Sequence, residues 1–259
     1  DSHNIFLGSN AGFKQQSSQW GNNIGIGQDA LQQNVTGYWN IAIGCSTLRN
    51  STGNNNIGLG RAAGCNVTSG GHNFFVGNYV GYNHKTGSDN IFVGRYSGYC
   101  TCSGASNVAL GYESLKGSST LSNNTGGYNV ALGYQAGYSV STGVCNVFIG
   151  HQTGKCASTG AGNIMIGSYA GPTLSDSTGG CNIIMGWDSA DKLTSGSSNI
   201  IFGHDTGRCI TTASYSVLIG HLAGYQDDDG GYHTFLGYGA GRCMQGDSNI
   251  AIGREAGRG

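Results

Sequence analysis

The motif Asn-Ile-Ala-Ile-Gly, loosened to Asn-Ile/Val-x-apolar-Gly, recurs along the entire chain. Its fullest copies are Asn40 to Gly44 and Asn249 to Gly253. Close variants bring the total to fifteen, beginning at residues 4, 23, 40, 56, 73, 90, 107, 129, 146, 163, 182, 199, 216, 233 and 249. Nine of the fourteen intervals are 17 residues and the others 16, 19 or 22, so insertions are few and local. A unit this short cannot bury a core alone and must stack on its neighbours. The expected fold is all-β: a β-solenoid or β-roll of about fifteen rungs, on the order of 70 Å long at ~4.8 Å per rung. Residues 1–259 read as one continuous repeat domain, trimmed or processed at both ends.

Within the unit from Asn90, Ile91 and Val93 alternate around Phe92, the period of a short strand. Stacked, such pairs (Ile41 and Ile43, Val108 and Leu110, Ile250 and Ile252) are expected to form two interior apolar ladders. The middle position is also apolar, as at Ala42, Phe75, Phe92, Met165, Ile201 and Ala251. A lone solenoid would place polar residues outward there, so an apolar outward column is expected to bury itself against identical chains. The alternative is that this side chain covers a turn of its own coil. Gly ends every motif copy, as a corner with positive φ requires. The leading Asn, replaced only by Ser216 and His233, suits an inward ladder of amides. The longest insertion, Lys116 to Thr125, is expected to bulge outward without interrupting the stack.

Composition narrows the function classes. The 12 basic and 13 acidic residues nearly cancel, which leaves no basic stripe for nucleic acid. No run approaches eighteen apolar residues, so no membrane span is expected. The acidic run Asp227-Asp228-Asp229 reads as a solvated turn.

Convergent chemistry is scarce. Glu113 and Glu255, the only glutamates, stand on distant rungs. Asp29, Asp188 and Asp205 share one corner position, not a facing carboxylate pair. His151, His204 and His221 each follow a motif Gly, with no repeated ligand set beside them. No catalytic residue, metal site or cofactor is therefore expected, and the chain reads as no enzyme. Four N-glycosylation acceptors, Asn34, Asn50, Asn66 and Asn123, precede x-Thr, the first three spaced by 16 residues as if on one turn. Nine cysteines (Cys45, Cys65, Cys100, Cys102, Cys145, Cys156, Cys181, Cys209 and Cys243) are disulfide candidates, within or between chains, with free buried thiols as the alternative.

The Asn-x-x-Ile-Gly string followed by a small residue resembles the left-handed β-roll heads of trimeric autotransporter adhesins, and also Asn/Gly-rich repeats of phage and large-virus fibre proteins. The resemblance covers all 259 residues. It implies a side-by-side homotrimer, with Ile41, Ile43, Ile250 and Ile252 in the intramolecular core and Ala42 and Ala251 towards partner chains. The 17-residue period is longer than the roughly 14-residue turn of those heads, and nine cysteines are foreign to the pattern.

The expected function is a structural fibre or adhesin-like shaft, extracellular or on a cell or virion surface. Its expected partners are copies of itself and cell-surface glycans, with Tyr96, Tyr112, Tyr134, Tyr169, Trp187 and Tyr238 offered for sugar stacking. The alternatives are a carbohydrate-, ice- or surface-binding module and a polysaccharide-degrading solenoid enzyme.

Overall fold

The computed structural model describes residues 3–15, 21–118, 124–173, 176–226 and 230–258. Every motif copy forms a three-residue strand, and the described residues contain no helix, hence none long and apolar enough to cross a membrane. The chain divides into two compact units, Asp1–Asn129 and Val130–Gly259.

The first unit stacks β1 (Ile5–Leu7), β2 (Ile24–Ile26), β3 (Ile41–Ile43), β4 (Ile57–Leu59), β5 (Phe74–Val76), β6 (Ile91–Val93) and β7 (Val108–Leu110). Each strand pairs in parallel with the next, motif position against motif position, as in Ile91↔Val108 and Phe92↔Ala109. The second unit repeats this with β8 (Val130–Leu132), β9 (Val147–Ile149), β10 (Ile164–Ile166), β11 (Ile183–Met185), β12 (Ile200–Phe202), β13 (Val217–Ile219), β14 (Thr234–Leu236) and β15 (Ile250–Ile252). Each unit is thus a parallel β-solenoid. The longer intervals before residues 23 and 182 leave register intact between β1 and β2 and between β10 and β11. Within the Lys116–Thr125 insertion, residues 119–123 lie outside the described residues. At its base Asn124 is buried, accepting from the Ser118 N–H (3.1 Å) and donating to the Ser118 carbonyl (2.8 Å).

The leading Asn fixes each rung to the next. Asn90 Oδ1 accepts the Asn107 N–H at 2.9 Å, and Asn90 Nδ2 donates to the Gly104 carbonyl of its own rung at 3.1 Å. The same pattern holds at Asn40, Asn73, Asn163, Asn182 and Asn199, all buried. A buried amide satisfied at both ends sets rung height and closes each coil without leaving an orphaned backbone group. At the motif glycine the chain turns with φ of 131° at Gly44, where a Cβ would stand 2.7 Å from the Gly60 carbonyl oxygen of the next rung.

The strand faces are the reverse of the expected arrangement. The middle side chain points into its own coil: Ala42, Phe75, Phe92, Phe148, Ile184, Ile201 and Phe235 are all fully buried, and Ala251 nearly so. The flanking residues expected to form the core point out, with Ile43 and Ile91 exposed at 41% and 43%, and Ile250 and Ile252 exposed too. Ala42 and Ala251 therefore do not face a partner chain, and the alternative that the middle residue serves its own coil is the one realised. The physical reason is parity. Successive strand side chains alternate, so the middle residue shares a face with the leading Asn two positions before it, and that Asn is buried.

On several rungs the narrow interior takes two large side chains, as with Ile184 and Leu193 or Ile201 and Ile210. Facing the middle residue is a tight turn of small residues, such as Ser97-Gly98 opposite Phe92 and Thr153-Gly154 opposite Phe148. Eight and eleven residues after the leading Asn come further inward positions, where Leu31, Leu48, Val67, Val140, Leu193 and Ile210 are buried. Each large buried side chain contributes on the order of 1.5–3 kcal/mol.

Candidate functional site

With the middle column inside, the outward sheet face of each unit is lined by the flanking residues. In the first unit these are Ile, Leu, Val and Phe at every rung, and in the second Thr234 is the only polar member among Ile, Val, Leu, Phe and Met. No charged residue occurs in either pair of columns. Exposure ranges from intermediate to more than half, and Phe74, Leu110, Ile164, Met185, Ile200 and Ile219 are all open to solvent. Two side chains per strand stand ~7 Å apart and rungs repeat every ~4.8 Å, so each unit presents an apolar strip of roughly 250 Å².

Beyond the motif glycine, several rungs carry aromatic ladders. In the first unit Tyr79 stacks on Tyr96 (5.6 Å between centroids, 21°) and Tyr82 on Tyr99 (5.4 Å, 8°). In the second, Tyr134 stacks on His151, Trp187 on His204, and His204 on His221, each near 5.0 Å and within 17° of parallel. Of the six rings offered for sugar stacking, Tyr96, Tyr134 and Trp187 each have one face against a neighbouring rung's ring. Tyr169 meets His151 edge-on, and Tyr238 meets His221 edge-on with Arg254 over its ring. Tyr112 lies at 73° to Tyr96 with Arg95 near its face. A ladder of stacked rings shows solvent mostly edges, whereas a sugar stacks on a face.

His204, Asp205 and His221 bring three metal-ligating atoms within 4.8 Å of one another. No repeated ligand set is expected from the sequence, and a single acid is close: Asp205 Oδ2 stands 3.3 Å from His204 Nε2. The two imidazoles are parallel to within 8°, so their in-plane lone pairs run side by side and do not converge on one ion. Asp205 Oδ1 is also held by Arg208 at 3.0 Å. Arg208 lies 3.8 Å from Asp191 as well, whose carboxyl burial pushes upward against the pull of that guanidinium. The two glutamates are each tied to a cation three residues on, Glu113 to Lys116 at 2.7 Å and Glu255 to Arg258 at 3.3 Å. Asp29 accepts from Asn10 and Gln32.

All nine cysteines are free thiols, so none forms a disulfide within the chain. Cys45, Cys145 and Cys181 are exposed, Cys65 and Cys100 buried, and Cys102, Cys156, Cys209 and Cys243 intermediate. Burial raises the pKa of Cys65, Cys100 and Cys156.

The glycosylation candidates do not share one structural position, despite their equal spacing. Asn34 sits one place later in its rung than Asn50 and Asn66, and this turns it inward. It is buried, with its amide bonded to both the N–H (2.7 Å) and the carbonyl (3.2 Å) of Gly37. Asn50 and Asn66 are half-buried members of an outer amide ladder, in which Asn50 donates to Asn66 and Asn66 to Asn83, each at 3.0 Å. Asn123 and the Asp227–Asp229 run lie outside the described residues.

Comparison with known protein families, with curated proteins and with solved structures returned no match.

Proposed function

We propose that this chain is a structural shaft, fibre- or adhesin-like, that associates side by side with copies of itself through the flanking-residue face. The carrying observation is that uncharged apolar strip on each unit. At roughly 250 Å² per unit it approaches the roughly 300–600 Å² of the largest apolar patch on a typical soluble monomer.

A second copy fits this face better than a globular partner does. The strip has one periodicity along its length, and only a surface with the same rung height matches it from rung to rung. An identical chain supplies that surface by construction. Isoleucine and valine ridges then interdigitate as between packed sheets, ~10 Å apart. Three chains around one axis is the arrangement that the adhesin resemblance favours. An extracellular or virion-surface setting, multivalent attachment and the absence of a catalytic role belong to this same reading, with cross-chain disulfides open to the exposed thiols.

The competing reading is a monomeric module that applies the same face to a foreign surface. Its weak point as an ice binder is chemical: the face offers methyl groups throughout and a single threonine, Thr234. Sedimentation equilibrium of the chain across micromolar concentrations, with and without reductant, separates the two. Self-association that persists in reductant supports the shaft, and a strict monomer throughout rejects it.

A further inference from the structure

The tyrosine ladder of the first unit ends abruptly. Tyr79 and Tyr96 occupy equivalent corner positions on successive rungs, and on the rung before them that position is Ala62. The missing ring leaves a surface cavity of about 180 Å³ beneath Tyr79 and Tyr82. At ~30 Å³ per water this is space for about six waters, comparable to one pyranose ring.

The walls of this cavity differ from the rest of the corner. Tyr82 lines it, and since Tyr99 covers one face of that ring, the opposite face is turned towards the cavity. Arg49 and Arg61 line the same cavity, and no carboxylate does. Arg61 lies over the Tyr79 ring at 5.3 Å, and Arg49 is oriented by donating Nε–H to Gln32 at 2.8 Å, which leaves its terminal nitrogens for a ligand. Neither guanidinium has an acidic partner among the described residues. Cys65, also in the wall, has its pKa raised by burial.

We propose that this notch binds an acidic sugar residue, a uronate or a sulfated hexose, with its ring against Tyr82 and its anionic group between Arg49 and Arg61. A planar guanidinium fork matches carboxylate and sulfate oxygens two at a time, and paired forks outweigh a single surface charge. The sugar's C–H face gains contact with the phenol ring while its hydroxyls remain in water. The notch lies on an outer corner of the coil, so a polysaccharide chain can run past it and place one residue inside. The site gives the proposed attachment role a ligand class and rests on that role for its biological setting only.

The test is isothermal titration calorimetry on the full chain, with four probes: a hyaluronan tetrasaccharide, a heparin-derived tetrasaccharide, neutral cellotetraose and sodium sulfate. The expected result is binding of one or both acidic oligosaccharides, weakened by added salt, and none of cellotetraose. Arg61→Gln and Ala62→Tyr should each reduce that binding at least tenfold. Ala62→Tyr fills the notch and keeps both arginines in the sequence. It copies the arrangement at Tyr79 and Tyr96, whose φ of 55° and 58° match the 55° of Ala62, so the fold should tolerate it. Unchanged binding in Ala62→Tyr, equal binding of cellotetraose, sulfate alone binding as tightly as the oligosaccharides, or no binding of either acidic probe would each overturn the proposal. Sedimentation of the same samples reads self-association separately, so its loss would count against the shaft and not against this site.

Discussion

The ring of Phe92 occupies the space that any side chain on Gly98 would need. The same exclusion links Phe6 with Gly12, Phe75 with Gly81, Phe148 with Gly154 and Phe235 with Gly241. On three rungs where the strand residue is small the turn residue is large: Leu31, Leu48 and Leu115 sit on the rungs of Gly25, Ala42 and Ala109. On the Phe and Leu rungs alike, one of two positions six residues apart is large and the other small, whereas Gly58 with Gly64 and Ala131 with Gly137 are small at both.

This exchange predicts a compensated pair. Gly98→Leu alone should cost about 1–3 kcal/mol by overpacking, read as a lower midpoint in urea unfolding. Phe92→Ala combined with Gly98→Leu should recover most of that loss, because it recreates the Ala109–Leu115 rung. The positive φ is no obstacle, since Leu31, Leu48 and Leu115 adopt 52°, 47° and 44°. A double variant no more stable than the single one would show that the two positions do not share a volume.

The Asn column predicts graded losses. Asn90→Ala strands the buried N–H of Asn107 and the carbonyl of Gly104, about 1–3 kcal/mol for each group left unpaired. Asn90→Ser should be milder, because Ser216 occupies the equivalent place and its Oγ accepts the His233 N–H at 3.1 Å. Thermal unfolding of the two variants gives the order, and equal losses would remove the hydrogen-bonding explanation.

His84 makes stability depend on pH. It is fully buried, and burial lowers its pKa despite the carbonyls of Gly87 and Thr101 at its ring nitrogens. The unfolded chain therefore binds the proton more readily than the folded one. The contribution is fully present above the ordinary histidine value of ~6.5 and is lost as pH falls from there through the lowered folded value. His84→Asn should flatten this part of a stability-versus-pH curve, because Asn34 fills the same position and satisfies its turn through Gly37. An unchanged curve would place the acid sensitivity elsewhere.

The location of all fifteen strands was legible in the sequence, because each is closed by Gly and all but two, which follow Ser216 and His233, are opened by Asn. Their orientation was not. Two apolar residues against one suggested that Ile91 and Val93 formed the core, yet alternation fixes only that they oppose Phe92. The deciding signal was present in Asn90: an inward Asn places Phe92 inward too. Size exchange between Phe92 and Gly98 was a second signal, legible only once the coil's turn is known to bring them together. The notch at Ala62 was not legible, since a cavity depends on which small residues coincide across three rungs. The inward turn of Asn34 came from a one-place difference between a 16-residue spacing and a 17-residue coil.

The middle column is the core, and we propose that the flanking columns are the interface. Sedimentation velocity and circular dichroism on two triple variants separate these two roles. One carries Ile91→Lys, Ile164→Lys and Ile200→Lys on the exposed face, and the other Phe92→Lys, Met165→Lys and Ile201→Lys in the buried column. The first should keep the β-sheet spectrum of the wild type and sediment as a monomer, while the second should lose that spectrum. A first variant that unfolds while the second stays folded, or one that sediments as the wild-type assembly, would contradict this account.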